Sequence, residues 1–154
     1  MEKKLFDAID YSILSSGKRL RPFLVLKSSE LFSVEKERAL RVAAAIEMVH
    51  AYSIVHDDLP SMDDDDLRRG KPTTHKKFNE AIAILTGDSL LTLSFEILSD
   101  TLTHSDAKIR CELISELSKA AGALGMVGGQ MMDLEAENKN LNIGVITRIQ
   151  RLKT

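Results

Sequence analysis

The chain has 154 residues, 44% of them hydrophobic, with 21 basic and 23 acidic side chains and a net charge of −2. That length allows one sizeable core and is short for two ordinary domains, and the near balance of charge leaves no overall field suited to nucleic acid or a polybasic membrane surface. A single cysteine, Cys111, excludes an internal disulfide framework and fits a reducing compartment, where it reads as a small core residue.

From the amino terminus, Met1-Glu2-Lys3-Lys4 leads into a short, acid-interrupted apolar stretch rather than a signal peptide, and residues 2–15 read as a first helix ending near Gly17. The only prolines are Pro22, Pro60 and Pro72, and the stretches between them carry apolar residues at three- and four-residue spacing, an all-helical pattern. A second helix is predicted over 20–32, with Pro22 in its first turn. A long third helix covers 35–58 and is ended or kinked by Pro60. Residues 59–75 read as a polar loop, followed by helices over 78–100, 106–121, 126–137 and from Asn142 onward. The pair Gly128-Gly129 is expensive inside a helix, at roughly 1 kcal/mol per glycine relative to alanine, so a close backbone approach is expected there. No strand alternation and no apolar run near the ~20 residues of a membrane helix is evident. The expectation is a soluble, cytoplasmic protein without membrane insertion.

The chemistry concentrates in 57–66, which holds six aspartates in ten residues and runs into Arg68-Arg69-Gly70-Lys71. Two carboxylates ~4 Å apart repel by ~4 kcal/mol at an effective dielectric near 20, so such a cluster needs protons, arginines or a divalent cation. An oxygen-only donor set beside arginines favours a hard ion such as Mg²⁺ together with a phosphate-bearing ligand. Asp57 and Asp63 are six apart, on different faces of an ideal helix, so they reach one ion only if the backbone bends, and Pro60 stands where the bend is needed. Gly17-Lys18-Arg19-Leu20-Arg21-Pro22 sets three cations at a helix junction, where free backbone N–H groups also favour an anion.

These motifs resemble the trans-isoprenyl diphosphate synthase (polyprenyl synthetase) family, most closely its bacterial farnesyl diphosphate synthases. The resemblance rests on Gly-Lys-Arg-Leu-Arg-Pro at 17–22, on the run from His50 through Asp57-Asp58-Leu59-Pro60-Ser61-Met62-Asp63, and on Asp64 to His75 with its Arg-Arg-Gly. Gly87-Asp88, Gly128-Gly129-Gln130 and Lys153-Thr154 also agree. It implies an antiparallel helical bundle of the isoprenoid synthase type, here a single partial domain over 1–154. Family members carry a further amino-terminal helix and a carboxyl-terminal half with a second aspartate-rich motif, so a fragment or truncated product is expected, with little or no synthase activity alone.

Carried over by position, the resemblance implies that Asp57 and Asp63 ligate Mg²⁺ ions bridging to an allylic diphosphate, with Arg68 in direct charge contact and Asp58 supporting. Lys18, Arg21, His50 and Arg69 would hold isopentenyl diphosphate. Lys153 and Thr154 would lie near the allylic diphosphate, the lysine also stabilising the developing carbocation. Tyr52, five residues before Asp57, reads either as a limit on product length favouring C15 over C20 or as an ordinary buried tyrosine. The family also suggests a homodimer through the Gly87-Asp88 helix. Competing readings are a geranylgeranyl diphosphate synthase, a noncatalytic diphosphate-binding subunit and an HD-type phosphohydrolase. The last lacks further histidine ligands, and a calcium loop lacks the alternating aspartates and central glycine it needs.

Overall fold

In the computed structural model, described for residues 2–14, 17–137 and 139–153, the helices follow the apolar periodicity to within two residues at nearly every end. They are α1 (Glu2–Ile13), α2 (Leu20–Leu31), α3 (Lys36–Asp57), α4 (Thr74–Lys77), α5 (Glu80–Ser99), α6 (Ala107–Ala121), α7 (Met126–Ala136) and α8 (Ile143–Lys153). Among the described residues the fold is all-α apart from one two-stranded ribbon, β1 (Leu67–Arg68) and β2 (Lys71–Pro72). The chain divides into two compact units, Met1–Arg110 and Cys111–Thr154.

In the first unit α3 is the central helix and packs on α5, α2 and α1. Its buried positions are Ala39, Ala43, Ala45, Val49, Ala51 and Val55, and small side chains of this kind let neighbouring helices approach closely. Opposite them α5 buries Ala83, Leu90 and Leu98, while its buried hydroxyls bond within the helix, Thr86 to Ile82 O at 2.7 Å and Ser94 to Leu91 O at 2.6 Å. Asn79 caps α5 by accepting from Ile82 N at 2.8 Å. Leu59 and Met62 pack on Val55 and Ala83, so the acidic loop leaves α3 from an apolar anchor.

Three expectations are corrected. The segment 59–75 contains an antiparallel hairpin, with Leu67 opposite Pro72 and Arg68 opposite Lys71. Its two-residue turn, Arg69 (φ 55) and Gly70 (φ 76), has left-handed backbone at both positions, the requirement of a type I′ turn. Two-residue strands are too short to show alternation. Cys111 is exposed rather than in the core. And α5 is long and apolar enough to cross a membrane, with mean hydropathy 1.6; its packing on α3, α1 and α4 buries 33% of that apolar stretch.

In the second unit α7 packs on α8. Gly129 is buried there, and a Cβ on it would stand 2.8 Å from both Leu152 Cβ and Lys153 N, which is the close approach expected of the glycine pair. Asn142 caps α8 by accepting from Val145 N at 3.0 Å.

Candidate functional site

Asp57 closes α3, half-buried, and Asp58 follows it with only 3% of its surface exposed. Beyond Asp58 the chain turns through Leu59 and Pro60. Asp63 N then donates to Asp57 O at 2.8 Å, and Asp64 N to Leu59 O at 3.1 Å, with Asp64 in the left-handed region (φ 50). The bend thus ties the backbone of Asp63 to that of Asp57. Among the described residues no three histidine, cysteine or acidic side chains converge as a ready-made metal site.

Arg68, on β1, reaches back to this loop. Its Nε donates to Asp58 Oδ1 at 2.9 Å, its Nη2 donates to the same oxygen, and Nη2 also donates to Asp65 Oδ2 at 2.8 Å. Burial pushes the Asp58 carboxyl above its ordinary range, and the hydrogen bond and charge of Arg68 oppose that shift. The hairpin is pinned behind: Thr73 Oγ1 donates to Asp65 O at 2.8 Å, Tyr11 OH to Pro72 O at 2.7 Å, and Thr73 N to Asp66 O at 3.0 Å. Since the single Thr73 hydroxyl hydrogen is spent on Asp65 O, Nδ1 of the buried His75, 3.1 Å from Thr73 Oγ1, is the donor of that pair. Lys76 pairs with Asp66 at 2.7 Å on the surface.

Arg69 turns the other way. It lines an open cleft of about 610 Å³ together with Gly17, Lys18, Arg19, Leu20, Arg21, Glu47 and His50. Its guanidinium lies against Gly17, where a Cβ would overlap it. The structure therefore brings Lys18, Arg21, His50 and Arg69 into one cleft from the α1–α2 junction, α3 and the hairpin turn. Burial pushes the His50 imidazole below its ordinary value, and Arg21, Arg69 and Arg19 act in the same direction against the opposing charge of Glu47. Arg19, left-handed at φ 49, pairs with Glu47 and donates to Ile13 O at 2.5 Å. This pair was not anticipated as a site element. Arg19 belongs to the cation cluster of 17–22, but nothing in the sequence pairs it with Glu47, 28 residues on.

Tyr52 is half-buried on α3, its hydroxyl made less acidic by burial and then by the charges of Asp57 and Asp88. Its ring meets the His56 ring edge-on, centroids 4.9 Å apart and planes at 75°. In the second unit Lys153 Nζ lies 2.5 Å from Asp133 Oδ2; Thr154 falls outside the described residues. Gln130 Oε1 there is buried without a partner in the described structure.

The polyprenyl synthetase family model matches residues 2–154. The chain is 52% identical to the farnesyl diphosphate synthase of Escherichia coli K12 over 149 residues, covering 96% of this chain and 50% of that protein. It is 48% identical over 139 residues to the chloroplastic geranylgeranyl pyrophosphate synthase 7 of Arabidopsis thaliana, covering 90% of this chain and 40% of that one. The apo crystal structure of an FPP/GFPP synthase from Zymomonas mobilis superposes with a TM-score of 0.96 at 52% identity, over 99% of this chain and 56% of that chain. The chain spans about half the length of the bacterial relatives it matches.

Proposed function

The chain belongs to the polyprenyl synthetase family, and on that footing we propose that its site serves Mg²⁺-dependent prenyl transfer, condensing dimethylallyl or geranyl diphosphate with isopentenyl diphosphate to farnesyl diphosphate in the cytoplasm. The observation that carries this reading is the divergence of two adjacent arginines. Arg68 pairs with Asp58 and Asp65 of the acidic loop while Arg69 lines the basic cleft, so a single hairpin would serve two diphosphate sites of different chemistry.

The donor set fits the ion. Asp57 and Asp63 offer oxygen alone, and Mg²⁺ is commonly held by one or two carboxylates with phosphate oxygens and water completing its shell, so two carboxylates would suffice. When bound, Mg²⁺ would neutralise diphosphate oxygens as the allylic carbon–oxygen bond breaks. Arg68 would meet the same growing charge from a position fixed by Asp58 and Asp65. Lys18, Arg21, His50 and Arg69 would hold the diphosphate of isopentenyl diphosphate in the cleft. On the resemblance alone, Lys153 and Thr154 would also serve an allylic diphosphate, the lysine stabilising the carbocation. The proton lost after condensation would pass to the released diphosphate. Tyr52 would limit chain length, and the alternative product, C20, belongs to a geranylgeranyl diphosphate synthase such as the Arabidopsis relative. A homodimer would use α5, where Ile84 and Leu85 are exposed.

A second reading is a diphosphate-binding subunit without turnover of its own. It is favoured by the basic cleft of Lys18, Arg21, His50 and Arg69, whose cations could hold a diphosphate without the metal chemistry of the acidic loop. The test is incubation of the purified 154-residue protein with Mg²⁺, isopentenyl diphosphate and geranyl diphosphate. Binding with little or no farnesyl diphosphate is the expected result for the chain alone; robust synthesis would overturn the second reading and that expectation together.

A further inference from the structure

Gly87 lies buried in α5 facing α3, and even a single added carbon there would overlap the imidazole of His56. The ring occupies that space, and its Nε2 stands 3.1 Å from Ile84 O. A carbonyl oxygen only accepts, so Nε2 carries the hydrogen. His56 thereby docks the last turn of α3 onto the backbone of α5. Helical side chains lean toward the amino terminus, which lays a ring over the residue four positions earlier. That residue is Tyr52, and the edge-on contact between the two rings holds it. The charges that bear on the Tyr52 hydroxyl are Asp57 and Asp88.

We propose that Gly87 and His56 are positioning residues for Tyr52: Gly87 admits the His56 ring, His56 fixes the Tyr52 ring, and the three together set the depth open to a prenyl tail. This rests on the reading of Tyr52 as the chain-length side chain. A role confined to helix packing would alter stability without altering the preference among tails of different length.

The purified chain is titrated in Mg²⁺ with inorganic pyrophosphate, geranyl diphosphate and farnesyl diphosphate, and the Tyr52 and His56 ring resonances are followed by NMR. His56→Gln keeps an amide donor near Nε2 for Ile84 O and removes the ring; Gly87→Ala expels the ring. Both variants are expected to shift the Tyr52 resonances and to raise the farnesyl-to-geranyl affinity ratio about tenfold, the scale at which pocket size discriminates apolar groups. Pyrophosphate affinity should stay within about twofold, since no head-group contact changes. An unchanged ratio in folded His56→Gln with normal pyrophosphate binding would overturn the proposal even where Gly87→Ala fails to fold. If the wild-type chain binds no pyrophosphate, the functional reading fails separately, and unmoved Tyr52 resonances in His56→Gln would then overturn the positioning role.

Discussion

Arg68 directs Nε and Nη2 at one carboxylate oxygen of Asp58, so the most buried acid of the aspartate-rich loop is answered by a cation from the hairpin ten residues on. The arginine is partly exposed, with 39% of its side chain in solvent. Asp58 thus holds the Arg68 guanidinium in place.

Breaking this pair should be costly from one side in particular. Arg68→Ala leaves a buried carboxylate without its partner, and a loss of about 1–3 kcal/mol is expected, less than for a wholly buried pair because water reaches the guanidinium site. Arg68→Ala together with Asp58→Asn should recover part of that loss. Urea denaturation of the single and double variants measures both.

His50 predicts the sign of a pH dependence. Its folded-state value lies below the ordinary 6.5, chiefly through burial and then Arg21, so the native protein binds fewer protons than the unfolded chain between that lowered value and 6.5. Stability therefore rises with pH through this window, and the penalty is complete below the folded-state value. His50→Gln should flatten the profile in the same window, as read from melting temperature against pH. Pyrophosphate in the cleft should raise the His50 value, which an NMR titration of its ring detects.

Gly17 separates binding from folding. The nearest atoms a Cβ would meet at this position are the flexible end of Arg69, so Gly17→Ala should cost no more than about 1 kcal/mol of stability. It should also displace the guanidinium and weaken isopentenyl diphosphate about tenfold, the loss of one charge-assisted contact. Calorimetric titration beside a thermal melt distinguishes this from a general loss of structure.

Gly129 should behave in the opposite way. Its added Cβ meets Leu152 Cβ and the Lys153 backbone at 2.8 Å, neither of which yields by a rotamer change. Gly129→Ala is expected to cost about 1–3 kcal/mol through overpacking. Hydrogen exchange should show the loss in α7 and α8.

The helices were legible because their apolar positions recur at helical spacing, and Gly129 because paired glycines in a helix need a packing reason. The bend at Pro60 was legible from the residue spacing of Asp57 and Asp63. The hairpin was not, since strands of two residues leave no period to read, and the left-handed Arg69 is a residue type that gives no turn signal. The Arg19–Glu47 and Asp58–Arg68 pairs join positions 28 and 10 residues apart, and charge type alone does not select partners at that range. His56 was visible beside Asp57, but the space that seats it is the missing side chain of Gly87, on another helix.

The aspartate-rich loop is expected to bind a diphosphate through Mg²⁺. Calorimetric titration of the chain with geranyl diphosphate, with Mg²⁺ and then with chelator, tests it directly in wild type, Asp57→Asn and Asp63→Asn. Binding that requires Mg²⁺ and is lost in both variants is the predicted result. Equal affinity in chelator, or undiminished Mg²⁺-dependent binding in the variants, would contradict it.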